Sequence, residues 1–401
     1  MNGFLDRAAI QLYNISSEKL KRGGLMAFEK LTAYLDQLDQ HGIPARDLVI
    51  YRDHELVYRH FSGVSDGAGK VPVQGKEHYL LYSCTKVFTT CCMMQLIGQG
   101  KIGLDDPVSD YLPAYADLKV RDGAIFRPAK KIMTIRHLMS MQGGLDYDME
   151  FAMRLVVPHV PKGEATTRQM IDALALKPLS FDPGTDWQYS LCHDVLGAVI
   201  EVVSGKKLSE YMKENIFDPL GISGLTFHPD EDTVKNLCAQ YQYHGQDQSF
   251  ELLHEQDEED PAPLYESGGG GLIGNVSDCI RFADAIACGG KGWNGAEILA
   301  PSLIQLWRAN QLCPKGRQSF DHWNRHGYSY ALGVRTRVDT EKGGRGPVGE
   351  FGWDGAAGAW MMIDPEHHLS AFYAQHVRGY GYSYDVVHPD LRNLIYEALE
   401  L

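Results

Sequence analysis

The 401-residue sequence lacks the features that would assign it to a membrane, to a nucleic acid or to a bound metal. No apolar run approaches the ~20 residues that a membrane-spanning helix needs. Lysine and arginine number 38 against 52 aspartates and glutamates, and the formal charge of -14 disfavours phosphate backbones and anionic lipid surfaces as partners. The cysteines form no Cys-x-x-Cys pair and the histidines no His-Glu-x-x-His pattern. We therefore expect no nucleic-acid partner, no membrane span, no metal site and no cofactor.

An export signal is also missing from the start of the sequence, where residues 1–7 show no basic segment followed by an apolar one. We expect a cytoplasmic protein whose eight cysteines stay reduced. Hydrophobic residues make up 44% of the chain and charged residues 22%, as in ordinary globular proteins. The length allows two or three average domains or one large fold with an inserted lobe.

The most informative segment contains Ser83 and Lys86 at the start of an apolar stretch. Residues three apart lie on one face of a helix, so the two side chains can touch. Residues 87–97 are apolar on almost all sides, which is typical of a helix buried in a large protein. Burial disfavours the charged form of lysine, and a neutral amine beside a hydroxyl is a base beside a nucleophile. Ser83 would also lie at a helix N-terminus, where free N–H groups favour a developing oxyanion.

Two other segments match motifs of different chemistry. Residues 63–67 have the G-x-S-x-G spacing of a nucleophile elbow around Ser65, but residues 68–73 cannot form the helix that an elbow requires. Residues 269–274 have the G-x-G-x-x-G spacing of a dinucleotide site, but no hydrophobic strand precedes them. We expect neither motif to carry the function.

The order of the predicted elements indicates a sheet assembled from distant parts of the chain. An amphipathic helix is expected at residues 25–40 and a final helix from about residue 389. Strands are expected at residues 48–51, 56–58, 328–336, 358–363 and 369–376. The intervening chain is mostly helical up to about residue 219. We predict an α/β (α+β) fold in which helices flank an antiparallel sheet and a mostly helical lobe is inserted.

The domain boundaries follow from this order. We expect a discontinuous α/β sheet domain made of residues 1–82 and 264–401, and a mostly helical lobe at residues 83–263 that begins with the Ser83 helix. Within the lobe, Tyr189 lies just before a helix that Ser190 would cap and Gly205 would end. A side chain at that position can point into a cleft. The acidic run at residues 254–260 is typical of a solvated loop.

Taken together, these motifs resemble those of the serine β-lactamase and penicillin-recognising enzyme superfamily, in the branch with class C β-lactamases, DD-peptidases and carboxylesterases. Residues 82–86, Tyr-Ser-Cys-Thr-Lys, are similar to the family's first motif, and residues 183–190 resemble the segment with its second motif. Residues 135–145 and 267–283 look like two Gly-Gly-Leu turns with their neighbouring helices. The resemblance runs from about residue 48 to 376. It implies a β-lactamase/transpeptidase-like fold with the site between sheet and lobe.

The resemblance also implies an acyl-enzyme mechanism. Ser83 would attack a carbonyl, and Lys86 and Tyr189 would share the base and acid roles. The backbone N–H groups of Ser83 and Ala356 would form the oxyanion hole, where losing one donor typically costs about 2.7–4 kcal/mol.

Two departures from the family's motifs bear on the substrate. Leu191 stands where the family's Tyr-x-Asn motif has its amide, and residues 353–355, Trp-Asp-Gly, stand where Lys-Thr-Gly is common. An indole has therefore replaced the ammonium that would pair with a lactam's carboxylate, which favours a neutral ester. The expected substrate-binding residues are Trp353, Asp354, Gly355, Leu191 and His376, the last of which follows the final strand.

Three functions stay open on this evidence. The first is a serine hydrolase that acts on a small-molecule ester or amide, most simply a carboxylic ester, with acyl transfer as a variant. The second is a β-lactamase or D-amino-acid peptidase, whose substrates lie mainly outside the membrane. The third is a non-catalytic binding protein on the same fold, which the lost amide and lysine favour and the intact Ser83, Lys86 and Tyr189 disfavour. Turnover of a chromogenic ester or labelling by a fluorophosphonate distinguishes them.

Overall fold

The computed structural model describes residues 27–253 and 263–401. The strands are β1 (Ala45–Arg52), β2 (Glu55–Gly63), β3 (His78–Leu80), β4 (Lys119–Asp122), β5 (Ile125–Pro128), β6 (Gln240–His244), β7 (Ser249–Leu253), β8 (Ile273–Asn275), β9 (Tyr328–Tyr330), β10 (Arg335–Arg337), β11 (Phe351–Gly352), β12 (Trp360–Asp364), β13 (Leu369–Ala374) and β14 (Val377–Arg378). The largest sheet has seven strands in the order β2-β1-β13-β12-β11-β10-β9, and its neighbouring strands are antiparallel. The predicted fold class is confirmed.

The α-helices are α1 (Glu29–Gln37), α2 (Thr85–Gly98), α3 (Ile135–Met139), α4 (Met149–Val156), α5 (Thr167–Leu174), α6 (Cys192–Ser204), α7 (Leu208–Met212), α8 (Asp218–Leu220), α9 (Glu231–Lys235), α10 (Val276–Ala287), α11 (Pro301–Trp307), α12 (Pro314–Asp321) and α13 (His388–Ala398). Short 3-10 turns include Leu38–His41, which continues α1, and Tyr82–Cys84, which precedes α2. Within the two described ranges, no helix combines the length and the apolar character needed to cross a bilayer.

The sheet joins the early hairpin to the late strands. Strand β1 pairs with β2 on one side and with β13 on the other, for example Val49 with Phe372. The hairpin turn is shorter than predicted, because the strands extend to Arg52 and Glu55 and leave only Asp53 and His54 between them. Both turn residues have positive φ, as a two-residue hairpin of this twist requires.

Alternation along β1 directs its side chains to two cores. Leu48 and Ile50 pack in the cluster that contains α1 and α13, where Leu31 and Leu35 of α1 are fully buried. Val49 points to the opposite face and joins the larger cluster that contains α2 and α10. The sheet is therefore covered on both faces. The predicted helix at residues 25–40 is found at Glu29–His41, while residue 25 lies outside the described residues.

Helix α2 lies in the centre of the larger core. Its side chains from Thr85 to Leu96 are buried, and Phe88 stacks on Phe282 of α10 with ring centroids 4.1 Å apart. The all-round apolar pattern thus correctly predicted a helix without a solvent face. Ser83, in the turn just before α2, is held by this packing.

Two predicted elements differ from the structure. The strand expected at residues 328–336 is the antiparallel pair β9 and β10, because Gly333 has a φ of +76° and turns the chain. Ser190 does not cap α6, since its hydroxyl donates to the Cys192 sulfur at 3.1 Å and the N-cap position is Leu191. Gly205, with a φ of +69°, ends α6 as predicted.

The proposed division into two domains stays a prediction. Its boundary is crossed by strand pairing, because β6 of the predicted lobe pairs in parallel with β14 of the predicted sheet domain. The acidic run at residues 254–260 lies outside the described residues.

Candidate active site

Ser83 lies in the 3-10 turn Tyr82–Cys84 and is 7% exposed. The residue before it, Tyr82, has a φ of +45°, which is rare for an aromatic residue. Strained backbone of this kind clusters at functional sites. The Tyr82 hydroxyl is tied to Gln240, whose amide donates to it at 2.8 Å. Packing around the turn therefore fixes the position of the serine.

Lys86 is fully buried, and its side-chain nitrogen Nζ meets three oxygen atoms. Nζ lies 3.0 Å from Ser83 Oγ, 2.6 Å from the carbonyl oxygen of Gly269 and 3.5 Å from the hydroxyl of Tyr147. One turn of helix brings Ser83 and Lys86 together, whereas Gly269 and Tyr147 come from distant parts of the chain. The sequence had suggested neither contact.

The loop that presents the Gly269 carbonyl is held by a buried carboxylate on α6. Asp194 accepts hydrogen bonds from the hydroxyls of Tyr265 and Ser267 and from the Gly269 N–H, the last at 3.4 Å. A side chain cannot be added at position 269, because a Cβ there would lie 2.4 Å from the Asp194 carboxylate. The glycine run therefore allows close packing beside Lys86 rather than nucleotide binding.

Tyr189 packs its ring over Lys86, with Nζ 4.7 Å from the ring centroid. Its hydroxyl accepts the indole N–H of Trp353 at 3.0 Å. Burial raises the pKa of Tyr189, and hydrogen bonds with Ser83 and Trp353 oppose that shift only in part. The phenol is therefore protonated at neutral pH.

A cavity of about 410 Å³ opens beside Ser83. It is lined by Ser83, Tyr189, His322, Trp323, Asn324, Arg325, Trp353, Asp354, Gly355, Ala356, Tyr384 and Asp385. Ser83 and Ala356, whose backbone N–H groups are expected to form the oxyanion hole, both belong to this lining. Gly355 touches the serine turn so closely that a Cβ there would lie 2.4 Å from the Leu81 carbonyl oxygen. The two expected oxyanion donors thus belong to residues that line one cavity.

Aromatic rings form one wall of this cavity. The Tyr189 ring lies 5.6 Å from Trp353 and 4.9 Å from Trp323, centroid to centroid, and Trp187 packs edge-on against Trp323. Trp323 is 39% exposed and comes from the segment after α12, which the sequence had not singled out. The wall offers apolar surface to a ligand.

Asp354 lines the cavity, but its charge is already paired. Its carboxylate is buried and accepts from Arg325 at 2.6 Å and from Arg335 at 3.0 Å. Burial would raise the pKa of Asp354, but the two guanidinium groups hold it below its usual value. Asp354 thus fastens the Arg325 segment to the chain just after β11, and its expected part in substrate binding stays a prediction.

Two expected substrate-binding residues lie away from the cavity. Leu191 is 4% exposed and packs with Leu145 and Leu174, because the start of α6 turns it into the core. His376 is 1% exposed, its Nδ1 donates to the Cys238 carbonyl at 2.7 Å, and its Nε2 accepts the Leu80 N–H at 3.2 Å. Neither residue lines the cavity beside Ser83, and their part in substrate binding stays a prediction. Trp353 and Gly355 do line the cavity, although the Trp353 N–H is occupied by Tyr189.

Among residues 27–253 and 263–401, one group of side chains that could ligate a metal lies outside the cavity. Ligand atoms of His54, Asp284 and Cys288 lie within 4.8 Å of one another, and His54 Nδ1 is 2.7 Å from the Asp284 carboxylate. None of the three residues lines the cavity beside Ser83.

The fold and the serine–lysine pair together define a serine enzyme of the β-lactamase type. The family model described as Beta-lactamase matches residues 29–384, and the chain belongs to that family. It is 28% identical to esterase EstB of Burkholderia gladioli over 285 residues, which cover 64% of this chain and 70% of EstB. The predicted superfamily and the predicted enzyme class, a serine hydrolase, are confirmed.

Solved structures of similar fold include EstCE1, described as a hydrolase with promiscuous acyltransferase activity. The match has a TM-score of 0.75 and 25% identity, and covers 93% of this chain and 98% of EstCE1. Unliganded simvastatin synthase LovD of Aspergillus terreus matches with a TM-score of 0.72 and 21% identity over 94% of this chain and 98% of LovD. The likeness to LovD shows the fold alone.

Proposed function

We propose that the protein hydrolyses carboxylic esters through an acyl-enzyme on Ser83, with transfer of the acyl group to an alcohol as a variant. The observation that carries this proposal is the 3.0 Å contact between Ser83 Oγ and the buried Lys86 Nζ beside a cavity that Ser83 and Ala356 both line. A nucleophile, a base and an oxyanion site are the three parts that acyl transfer needs. EstB, an esterase, and EstCE1, a hydrolase with acyltransferase activity, support the same class of reaction.

In the acylation step, Ser83 Oγ bonds to the carbonyl carbon and gives its proton to a neutral Lys86 amine. The hydrogen bond from Lys86 Nζ to the Gly269 carbonyl holds this nitrogen 3.0 Å from Ser83 Oγ, within reach of the serine proton. The carbonyl oxygen becomes an oxyanion between the N–H groups of Ser83 and Ala356. The ester C–O bond then breaks and the alcohol leaves with a proton. Tyr189, in contact with both Ser83 and Lys86, shares the acid and base work.

Hydrolysis of the acyl-enzyme repeats these steps with water in place of serine. Water bonds to the acyl carbon, its proton passes to the Lys86 and Tyr189 pair, and the bond to Ser83 Oγ breaks as that oxygen regains a proton. An alcohol that takes the place of water yields a new ester. The proposed partner is therefore a small-molecule ester and, for transfer, a small alcohol.

A neutral ester suits the cavity better than a β-lactam. A β-lactam antibiotic carries a carboxylate, which a cationic side chain normally pairs with. The one arginine in the cavity wall, Arg325, is already paired with Asp354, and the wall contains no lysine among the described residues. The aromatic wall instead offers contact to an apolar acyl group.

The test compares p-nitrophenyl butyrate with a chromogenic cephalosporin on the purified protein. We expect the ester to have the higher kcat/KM, and we expect Ser83→Ala to abolish its turnover. A cephalosporin with the higher kcat/KM would support the β-lactamase alternative. Absence of turnover with every ester and lactam of such a panel would support a non-catalytic binding protein.

A further inference from the structure

Lys86 lies between two tyrosine rings that face each other. The rings of Tyr147 and Tyr189 are stacked, with centroids 5.5 Å apart and planes inclined by 12°. Lys86 Nζ is 5.5 Å from the first ring centroid and 4.7 Å from the second. The site therefore contains two phenols, whereas the proposed acylation step assigns a role to only one.

The two phenols differ in their partners. The Tyr189 hydroxyl accepts the Trp353 indole N–H at 3.0 Å, and Tyr189 lines the cavity. The Tyr147 hydroxyl lies 3.5 Å from Lys86 Nζ, and Tyr147 does not line the cavity. Tyr147 is also 51% exposed. It therefore flanks the serine–lysine pair on the open side, away from the space for the acyl group.

An ester bound with its acyl group in the cavity must direct its alcohol portion out of it. The open flank with Tyr147 is the side left for that portion. An alkoxide is a strong base and needs a proton as the C–O bond breaks. Tyr147 can supply one, because its hydroxyl lies 3.5 Å from Lys86 Nζ and holds its proton at neutral pH: partial desolvation raises the pKa of the phenol, and Lys86 offsets this shift only in part.

We propose that Tyr147 is a second catalytic phenol, which protonates the leaving alcohol, while Tyr189 and Lys86 activate Ser83. The inference rests on the proposed function. The Ser83 proton passes to Lys86, the bond from Ser83 Oγ to the acyl carbon forms, and the ester C–O bond breaks. The alkoxide takes the Tyr147 proton and leaves as the alcohol. The Tyr147 phenolate then regains a proton from the Lys86 ammonium, 3.5 Å away, and Lys86 returns to its neutral form.

The test uses two esters of the same acid, ethyl butyrate and p-nitrophenyl butyrate. The p-nitrophenoxide ion is a weak base that leaves without a proton, whereas ethoxide needs one. For Tyr147→Phe we expect kcat/KM to fall by about 10²–10³ with the ethyl ester, in the range of a lost general acid. With the p-nitrophenyl ester we expect nearly unchanged kcat/KM.

Tyr189→Phe is the matched control, because it also removes one hydroxyl from the stacked pair. We expect it to lower kcat/KM with both esters. Equal losses with both esters in Tyr147→Phe would mean that Tyr147 only positions Lys86, and unchanged values with both would remove it from the reaction. Either result overturns the inference.

Failure of the proposed function gives a different result. In that case the wild type turns over neither ester, or Ser83→Ala retains the activity. Thermal melting of both tyrosine variants shows whether they fold. Should Tyr147→Phe fail to fold, fluorotyrosine at position 147 replaces it: the more acidic phenol should lower the pH above which the ethyl-ester rate falls, and an unmoved profile would overturn the inference.

Discussion

Lys86 is the side chain on which the proposed chemistry depends, because its Nζ meets the nucleophile, a backbone acceptor and a phenol. Each contact limits where the amine can move: the Gly269 carbonyl accepts an N–H from Nζ, and Ser83 Oγ lies 3.0 Å from the same nitrogen. Tyr189 covers the amine from above with its ring. The base and the phenol should therefore behave as one unit.

Mutant kinetics can test that unit. Lys86→Ala and Tyr189→Phe should each lower kcat by about 10²–10⁴, the usual range for loss of a general base. The double variant should be little worse than either single one, because groups that act together are lost together. The measurement is kcat/KM for p-nitrophenyl butyrate across the four proteins. Fully multiplicative losses would show that the two residues act independently.

At the scale of the element, the site is formed where the turn before α2 touches the segment that follows β11. Gly355 makes this contact possible, because a Cβ there would lie 2.4 Å from the backbone oxygen of Leu81. The same approach brings the N–H of Ala356 into the cavity wall with Ser83.

Gly355→Ala should therefore disturb the oxyanion site. The Leu81 carbonyl oxygen belongs to the backbone and cannot move aside as a side chain can. The segment with residue 355 should therefore shift away from the serine turn. We expect kcat to fall by about 10²–10³, the loss typical of one oxyanion donor. Gly245→Ala is the control, because a Cβ there would meet nothing closer than 3.8 Å. Normal kcat in Gly355→Ala would contradict the proposed role of this contact.

How far the sequence predicts the site depends on how local each contact is. Ser83 and Lys86 meet because helical spacing alone brings them together. Tyr147 is 61 residues away from Lys86 in the sequence. The two side chains meet through tertiary packing of the lobe, which the spacing of residues in the sequence does not predict. The available signal was its position two residues after the turn at residues 143–145.

Two expected site residues that lie outside the cavity lining show the same limit. Leu191 was expected in the cavity because it follows Tyr189 in the family's motif, but the start of α6 turns it into the core. His376 was expected at a strand end near the cleft. The next residue begins β14, which pairs with β6, and this pairing buries the histidine. The long helices and strands, in contrast, follow the period of their hydrophobic residues and the positions of glycines. Both of these are properties of the local sequence.

At the scale of the whole molecule, the seven-stranded sheet joins two distant parts of the chain. Pairing of β1 with β13 joins the early hairpin to the late strands. Strand β11 belongs to the same sheet, and residues 353–356, which line the cavity beside Ser83, follow it directly. Site and fold should therefore be lost in one transition.

Acid should weaken this fold through its buried neutral histidines. Burial lowers the pKa of His376 from 6.5 to about 4, so the unfolded chain binds a proton there in a range where the folded one does not. The contribution of His376 is complete above about pH 6.5 and is lost as the pH falls toward 4. The cost within that window is about 1.4 kcal/mol per pH unit.

A matched variant separates this histidine from the other titrating groups. Asparagine at 376 has a donor and an acceptor but does not titrate. Between pH 7 and pH 5, urea unfolding of the wild type should lose about 2 kcal/mol more stability than that of His376→Asn. Equal losses in the two proteins would show that the pKa of His376 is the same in the folded and the unfolded state.

The central claim is that Ser83 becomes acylated, and intact-mass spectrometry tests it most directly. The protein is mixed with p-nitrophenyl butyrate and quenched in acid within the first turnover, and peptide fragmentation locates the acylated residue. Ser65→Ala serves as the control, since Ser65 lies in the competing G-x-S-x-G pattern. We predict one butyryl group on Ser83 in the wild type and in Ser65→Ala, and none in Ser83→Ala. A butyryl group that persists in Ser83→Ala, or that maps to another residue while esters turn over, would contradict the account.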